Sequence, residues 1–314
     1  MSEELFKCVM SNNVKGVGWL LKHKKVDINV TDEYGNTCLH VAVTTHWKTM
    51  VEMLLSHLSV EDVNKHNNKD YTALHNACYN EQYKIAKILI QSPKVNINQT
   101  DANGQTVLTQ VVNTYSGIRY ILLKLLLDRG DIDVNLVDNE GKTALHHAVY
   151  KDYKIVGLLL CNNKIDVNVV DNDNKIALWH AYVNGNIYII NLIRTHINNP
   201  NNGDKQCVTN TLFDVNAKDK YGMSLLHHAS IRGCNQVIKL LLSYPDIDVN
   251  ATVNMHDHRK NKMIACNALY MALEYRRHDN IIELLVISGV SINLDINDIN
   301  GRYKHLLESF KYRS

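Results

Sequence analysis

The chain has 314 residues, 45% of them hydrophobic, and a formal net charge of +2 with Lys and Arg scattered along its length. That balance supports a packed core and excludes the concentrated basic character of a protein built mainly for nucleic acid. Seven dispersed cysteines, an odd number, fit reduced thiols better than a disulfide framework, and the most apolar run, Tyr120 to Leu127, is broken by Lys124 and too short to span a bilayer.

In chain order, residues 1–31 show helical apolar spacing (Leu5, Val9, Val17, Leu20, Leu21) and are expected to cap the N-terminal end. A hexapeptide then recurs: Thr37-Cys38-Leu39-His40-Val41-Ala42, Thr72-Ala73-Leu74-His75-Asn76-Ala77, Thr143-Ala144-Leu145-His146-His147-Ala148 and Ser224-Leu225-Leu226-His227-His228-Ala229. A polar turn precedes each copy and an apolar helical stretch follows it. Units close on tetrads such as Val26-Asp27-Ile28-Asn29 and Ile165-Asp166-Val167-Asn168. Starts fall at Asp32, Asn67, Asp101, Asp138, Asp171, Asp219, about Lys262 and Asp298, mostly spaced by roughly 33–37 residues. The steps after Asp171 and Asp219 are longer, which places insertions at 197–212 and 252–264; both read as surface loops. The units are therefore 32–66, 67–100, 101–137, 138–170, 171–218, 219–261 and 262–297, with 298–314 as a C-terminal cap closing one continuous domain.

The hexapeptide, turn and tetrad together resemble the ankyrin-repeat family. The resemblance implies an all-α solenoid of stacked helix-turn-helix units with β-turn tips, here about seven full repeats plus caps and two insertion loops. The usual Pro before the motif Leu is replaced by Cys38, Ala73, Val107, Ala144, Ala177, Leu225 and Ala268, a modest loss because Ala is itself a good helix former. Gly35, Gly104, Gly141 and Gly222 sit where the tip needs a left-handed residue, with Asp70 and Asn174 as substitutes. The motif Thr reads as a helix cap. By resemblance, His40, His75, His146 and His227 bond the backbone of the adjoining turn and carry no catalytic role. Units with Thr109, Trp179 or Tyr270 in the His position are expected to be tied less firmly.

No phosphate loop, Cys-x-x-Cys pair, His-Glu-x-x-His or Gly-x-Ser-x-Gly element occurs, so the chain reads as a non-enzyme without cofactors or metal. The nearest approach to a metal set is His256-Asp257-His258 with Cys266, which types can ligate zinc; a solvated loop is the stronger reading. The basic runs at Lys22 to Lys25, His258 to Lys262 and Arg276 to His278 read as solvated edges.

The resemblance also places a concave binding face on the turn tips and first helices. Tyr34, Tyr71, Tyr79, Tyr150, Tyr221 and Tyr275 fall at those offsets, with Lys142 and Arg232, in a chain holding 16 Tyr and 3 Phe. Tyrosine suits an interface anchor because a rigid apolar body carries a polar tip. The expected function is a non-catalytic scaffold or adaptor for another protein. The alternatives are a pathogen or viral effector masking a host protein and, from another class, a metal-dependent site on the insertions. The chain is expected to be monomeric and cytoplasmic, with the nucleus or a host-cell cytosol as alternative locations, and to engage neither nucleic acid nor membrane. The tetrad residues Asn168 and Asn250 resemble asparagines that are hydroxylated in ankyrin proteins of animals.

Overall fold

The computed structural model describes residues 2–23, 26–197, 213–257, 262–275, 281–282, 285–286 and 288–289. The chain divides into two compact units, Met1–Asn172 and Asp173–Ser314, each treated by itself below. Among its described residues the first holds eleven helices: α1 Ser2–Met10, α2 Val14–His23, α3 Cys38–Thr44, α4 Lys48–His57, α5 Val60–Val63, α6 Ala73–Tyr79, α7 Tyr83–Gln91, α8 Val107–Asn113, α9 Arg119–Leu127, α10 Ala144–Ala148 and α11 Tyr153–Leu160. First helices pack in one layer (α3, α6, α8, α10) and second helices in another (α4, α7, α9, α11). Leu39, Leu54, Leu74, Leu89, Leu108, Leu123 and Leu126, each at most 1% exposed, form the seam between the layers. One hairpin leaves such a face open to water, so each repeat depends on its neighbour.

The motif residues account for the start of each first helix. Thr37 caps α3 in extended conformation, and its backbone N–H donates to His40 Nδ1 at 3.3 Å. Because that nitrogen accepts, the proton sits on Nε2, which donates to the Tyr71 carbonyl of the next tip at 2.8 Å. His75 repeats the arrangement toward Gln105 at 3.4 Å. The expected role of the motif histidine as a tie between repeats therefore holds at both positions. Thr109, in the His position, meets only the Thr106 hydroxyl, at 3.4 Å, among the described residues. That repeat lacks the side-chain tie to the following turn, as expected.

The tips interlock by a rule that joins two positions in successive repeats. Gly35, Gly104 and Gly141 have φ of +72°, +72° and +74°, and a Cβ on them would lie 2.3–2.6 Å from the amide oxygen of Asn68, Asn139 and Asn172 in the next tip. Each of those asparagines donates its amide back to the preceding tip, at 3.1, 3.0 and 2.9 Å. Where Asp70 (φ 56°) takes the Gly place, the next tip has Ala102 instead of Asn, and where Asn174 (φ 59°) does so, the following tip has Lys220. A Cβ at one tip thus goes with the loss of Asn at the next. Ala102→Asn is expected to cost about 1 kcal/mol alone and to become neutral or stabilising with Asp70→Gly. A double-mutant cycle by urea denaturation measures this; additive effects would refute the coupling.

Two more ties cross the repeats. The tetrad residues Asn64, Asn98 and Asn135 donate to the carbonyls of Lys94, Asp131 and Lys164 and accept from the amides of Asn96, Asp133 and Asp166, all at 2.8–2.9 Å. Lys94 donates to the Leu55 and Leu58 carbonyls at the end of α4, and Arg129 to those of Ile90 and Ser92 at the end of α7 and of Val95 in the turn beyond it. A cation on terminal helix carbonyls is favoured by both hydrogen bonding and the helix dipole.

The second unit comprises α12 Ala177–Asn184, α13 Ile187–Ile197, α14 Leu225–Arg232, α15 Asn235–Leu242, the strands β1 Val253–Asp257 and β2 Lys262–Cys266, and α16 Ala268–Glu274. Gly185 and Gly233, in left-handed conformation, end α12 and α14. Ile176 gives α12 no side-chain cap, and Trp179 fills the His place by packing edge-on to His228 with its Nε1 unbonded. His227 keeps the usual bond, to the Cys266 carbonyl at 3.1 Å.

The reading of 252–264 as a loop is corrected here. Its flanks pair as an antiparallel hairpin, Val253 opposite Cys266 through Asp257 opposite Lys262. Alternation explains the pairing. Val253 and Cys266 are buried with Met271, Met255 and Ile264 pack against them, while Asn254, His256, Met263 and Ala265 are exposed. The insertion at 197–212 has only Ile197, the end of α13, inside the described residues; the rest, and the cap at 298–314, lie outside them.

Candidate functional site

Each tip is built around its first Asp or Asn. Asp32 Oδ1 accepts the amides of Tyr34 and Asn36 at 2.9 and 2.8 Å, and Asp138 Oδ1 those of Glu140 and Lys142, both at 2.9 Å. Asp138 Oδ2 also meets His147 Nε2 at 2.7 Å, a strut from tip to first helix that Asp219 and His228 repeat at 2.8 Å. The second histidine of each doublet therefore has a structural task, which the sequence reading missed. Held this way, the tip presents the next two side chains outward, while the residue after the Gly position is only partly exposed.

In the first unit this display is tyrosine-rich. Tyr34 and Tyr79 are each 63% exposed, and Tyr150 is also exposed. Tyr71 differs from expectation in being half-buried: its ring stacks on His75 at 5.8 Å and tilts against Tyr79 at 6.1 Å. Burial raises its phenol pKa above the ordinary value. Tyr71 thus supports Tyr79 from beneath. Lys142 stands at the predicted offset but is bound to Glu140 at 2.6 Å, so its charge is largely matched on the spot.

The structure adds Tyr115, at 83% the most exposed large apolar side chain described. It sits on the elbow between α8 and α9, under the Lys151 ammonium, which lies 4.4 Å over its ring and donates to its hydroxyl at 3.0 Å. That bond and charge hold the Tyr115 phenol below its usual pKa. The signal in the sequence is the longer step from Asp101 to Asp138, whose extra residues form this elbow. Ends of first helices thus display Tyr79, Tyr115 and Tyr150 in three successive repeats.

In the second unit, Tyr221 is 71% exposed with the Lys220 ammonium 5.5 Å over its ring, and Tyr275 is exposed at the C-terminal end of α16. Arg232 is exposed at the end of α14. The zinc reading of the second insertion loses its geometry. Cys266 points into the hairpin core, whereas His256 lies on the opposite, exposed face. The Asp257 side chain and His258 lie outside the described residues. Asn250 donates to the Gly289 carbonyl at 3.4 Å, and the Asn168 backbone N–H donates to Asp166 Oδ1 at 2.9 Å.

Three of the motif histidines are unsuited to proton transfer at neutral pH. Burial lowers the pKa of His40 and His227 and takes His75 down to about 4, so all three are neutral struts. Cys38 and Cys78 are buried, and loss of hydration pushes both thiols up to about 12, away from reactivity. All six described cysteines are free thiols.

A family model of ankyrin repeats matches residues 5–101, 93–171, 120–204, 164–253 and 196–296. The chain belongs to the ankyrin-repeat family. Among solved structures it resembles the ankyrin-repeat domain of Bcl-3, a member of the IkappaB protein family. That likeness has 25% identity and a TM-score of 0.57, and covers 76% of this chain and 97% of that one. It also resembles EF0377, an ankyrin-repeat protein, at 22% identity and TM-score 0.53, over 62% of this chain and 98% of the other. A BTB/POZ domain-containing protein 1 of Schizosaccharomyces pombe is 30% identical over 107 residues, 29% of this chain. The chain spans only 8% of that relative's length. Ankyrin repeats are generally protein–protein interaction modules and typically non-enzymatic. No described helix is long and apolar enough to cross a membrane.

Proposed function

We propose that the chain is a non-catalytic adaptor that grips another protein on the tip and first-helix face, with the tyrosines of the first unit as anchors. The observation that carries this is the row Tyr79, Tyr115 and Tyr150, large rings left in water at equivalent elbows of successive repeats. Burying such rings against a partner recovers apolar area while the hydroxyls stay hydrogen-bonded. Free thiols support a reducing compartment, and the proposal places the chain in the cytoplasm as a monomer. Hydroxylation of Asn168 and Asn250 is a secondary proposal, checked by a single-oxygen mass increment in protein made in animal cells.

The experiment is affinity capture with the full chain and with Tyr79→Ala/Tyr150→Ala as baits, read by mass spectrometry. The partner should come down with the wild type and be lost from the double variant, whose helicity and melting temperature stay nearly unchanged. A variant that loses fold and partner together would contradict the assignment.

A further inference from the structure

Three neighbouring second helices of the first unit carry only basic charge. Together α7, α9 and α11 hold Lys84, Lys87, Arg119, Lys124 and Lys154 and no acidic residue, in a protein whose net charge is only +2. Arg119 is consumed by an internal ion pair with Asp152. None of the four lysine ammonium groups has a hydrogen-bond or ion-pair partner among the described residues; Lys154 only contributes to the field that lowers the Asp152 pKa. Lys84, Lys124 and Lys154 are exposed and Lys87 is half-buried.

Their placement follows from the helical register. Each second helix buries an adjacent pair against the first-helix layer: Met50 and Val51, Ile85 and Ala86, Leu122 and Leu123, Ile155 and Val156. Three residues on from the first of each pair come Met53, Ile88, Leu125 and Leu158, all only partly buried, one per neighbouring helix. They make an apolar row across α4, α7, α9 and α11, and a Cβ on Gly157 beside Leu158 would meet nothing within 4 Å. Directly before or directly after the same pairs lie Lys84, Lys87, Lys124 and Lys154, with the 49%-exposed Ile121 among them. On α4 the equivalent position is Glu52, already paired with Lys48, which ends the basic stripe.

We infer that this outer second-helix face is a second docking surface, separate from the tip and first-helix face, and that it takes an acidic amphipathic helix of a partner protein. Charge complementarity chooses the occupant. Unpaired ammonium groups beside a half-buried apolar row match a helix with carboxylates flanking an apolar stripe. Size agrees, since two interhelical spacings of about 8–10 Å from α7 to α11 match a helix of roughly 12 residues. Lysines beside exposed apolar rows also discourage self-association, so the face stays available in the free chain.

The test is fluorescence anisotropy with the full chain and a labelled peptide of about 18 residues bearing Glu and Leu at helical spacing. The wild type should bind it. Lys87→Glu/Lys124→Glu should weaken binding at least roughly tenfold with an unchanged circular dichroism spectrum, and Tyr79→Ala/Tyr150→Ala should leave it unchanged. A peptide of the same composition without an apolar face, and a single-stranded oligonucleotide of equal charge, should each bind at least roughly tenfold more weakly. The assignment is overturned if the amphipathic peptide does not bind or if charge reversal has no effect. It is equally overturned if either control binds as well, or if the tyrosine variant abolishes peptide binding. Loss of the captured partner in the tyrosine variant with peptide binding intact separates the two faces.

Discussion

Asp152→Ala is expected to destabilise the unit Met1–Asn172 by about 3 kcal/mol, the largest effect of any single side chain outside the apolar seam. Asp152 lies at the N-terminal end of α11, where Oδ1 accepts the Lys154 amide at 2.8 Å. Its Oδ2 accepts from the Tyr120 hydroxyl and from Arg119 at 3.2 Å. Burial pushes the Asp152 carboxyl up, but these donors and the guanidinium charge outweigh it, and the pKa falls below the ordinary value. The Arg119 and Asp152 side chains are 13% and 18% exposed, so solvent screens the pair little. Removing the carboxylate strands a guanidinium that also holds the Thr114 carbonyl at 3.0 Å, and it uncaps α11. Asp152→Asn, which can keep the cap, should lose about half as much. Arg119→Met added to Asp152→Ala should recover part of the loss, because no charge is then left buried. Urea denaturation measures all three; a change below about 0.5 kcal/mol for Asp152→Ala would contradict the account.

Acid should unfold this protein earlier than its carboxylates alone would require. His75 is neutral in the fold, with a pKa of about 4 against 6.5 for the free side chain, chiefly because burial opposes the charge. Its Nδ1 already accepts the Thr72 amide, so protonation would set two N–H groups against each other. A folded pKa below the unfolded one means that the contribution is complete above about pH 6.5 and is lost as pH falls toward 4. At 1.36 kcal/mol per unit this comes to about 3 kcal/mol, and the lowered pKa values of His40 and His227 act in the same direction. The melting temperature should therefore be nearly flat from pH 8 to 7 and fall by roughly 10 °C by about pH 4.5. His75→Gln should start from a lower plateau and fall less over that window. Parallel wild-type and variant curves would show that His75 is not the group responsible.

The architecture was legible because the hexapeptide carries its own register: the places of Thr37, His40 and Gly35 state the cap, the tie and the tip. What escaped depended on contacts about one repeat away. Lys94 and Arg129 cap helices of the preceding repeat, and nothing local distinguishes them from solvated cations. The alternation in Val253 to Asp257 is short and interrupted by polar residues, so the hairpin read as a loop. Of the site, the tyrosine offsets were legible, yet Tyr71 proved to be a support for Tyr79. Tyr115 was overlooked because its extra elbow residues shift it off the regular offset. The lysines of α7, α9 and α11 looked scattered in sequence and align only when the helices stand side by side.

The most direct test of the central claim is the dissociation constant of the captured partner for the full chain, set against that for Tyr79→Ala/Tyr150→Ala, with thermal melts of both proteins in the same buffer. The account predicts binding weakened by more than about tenfold and melting curves that superimpose. Equal affinity for the two proteins, or a loss of affinity matched by a loss of folding, would contradict it.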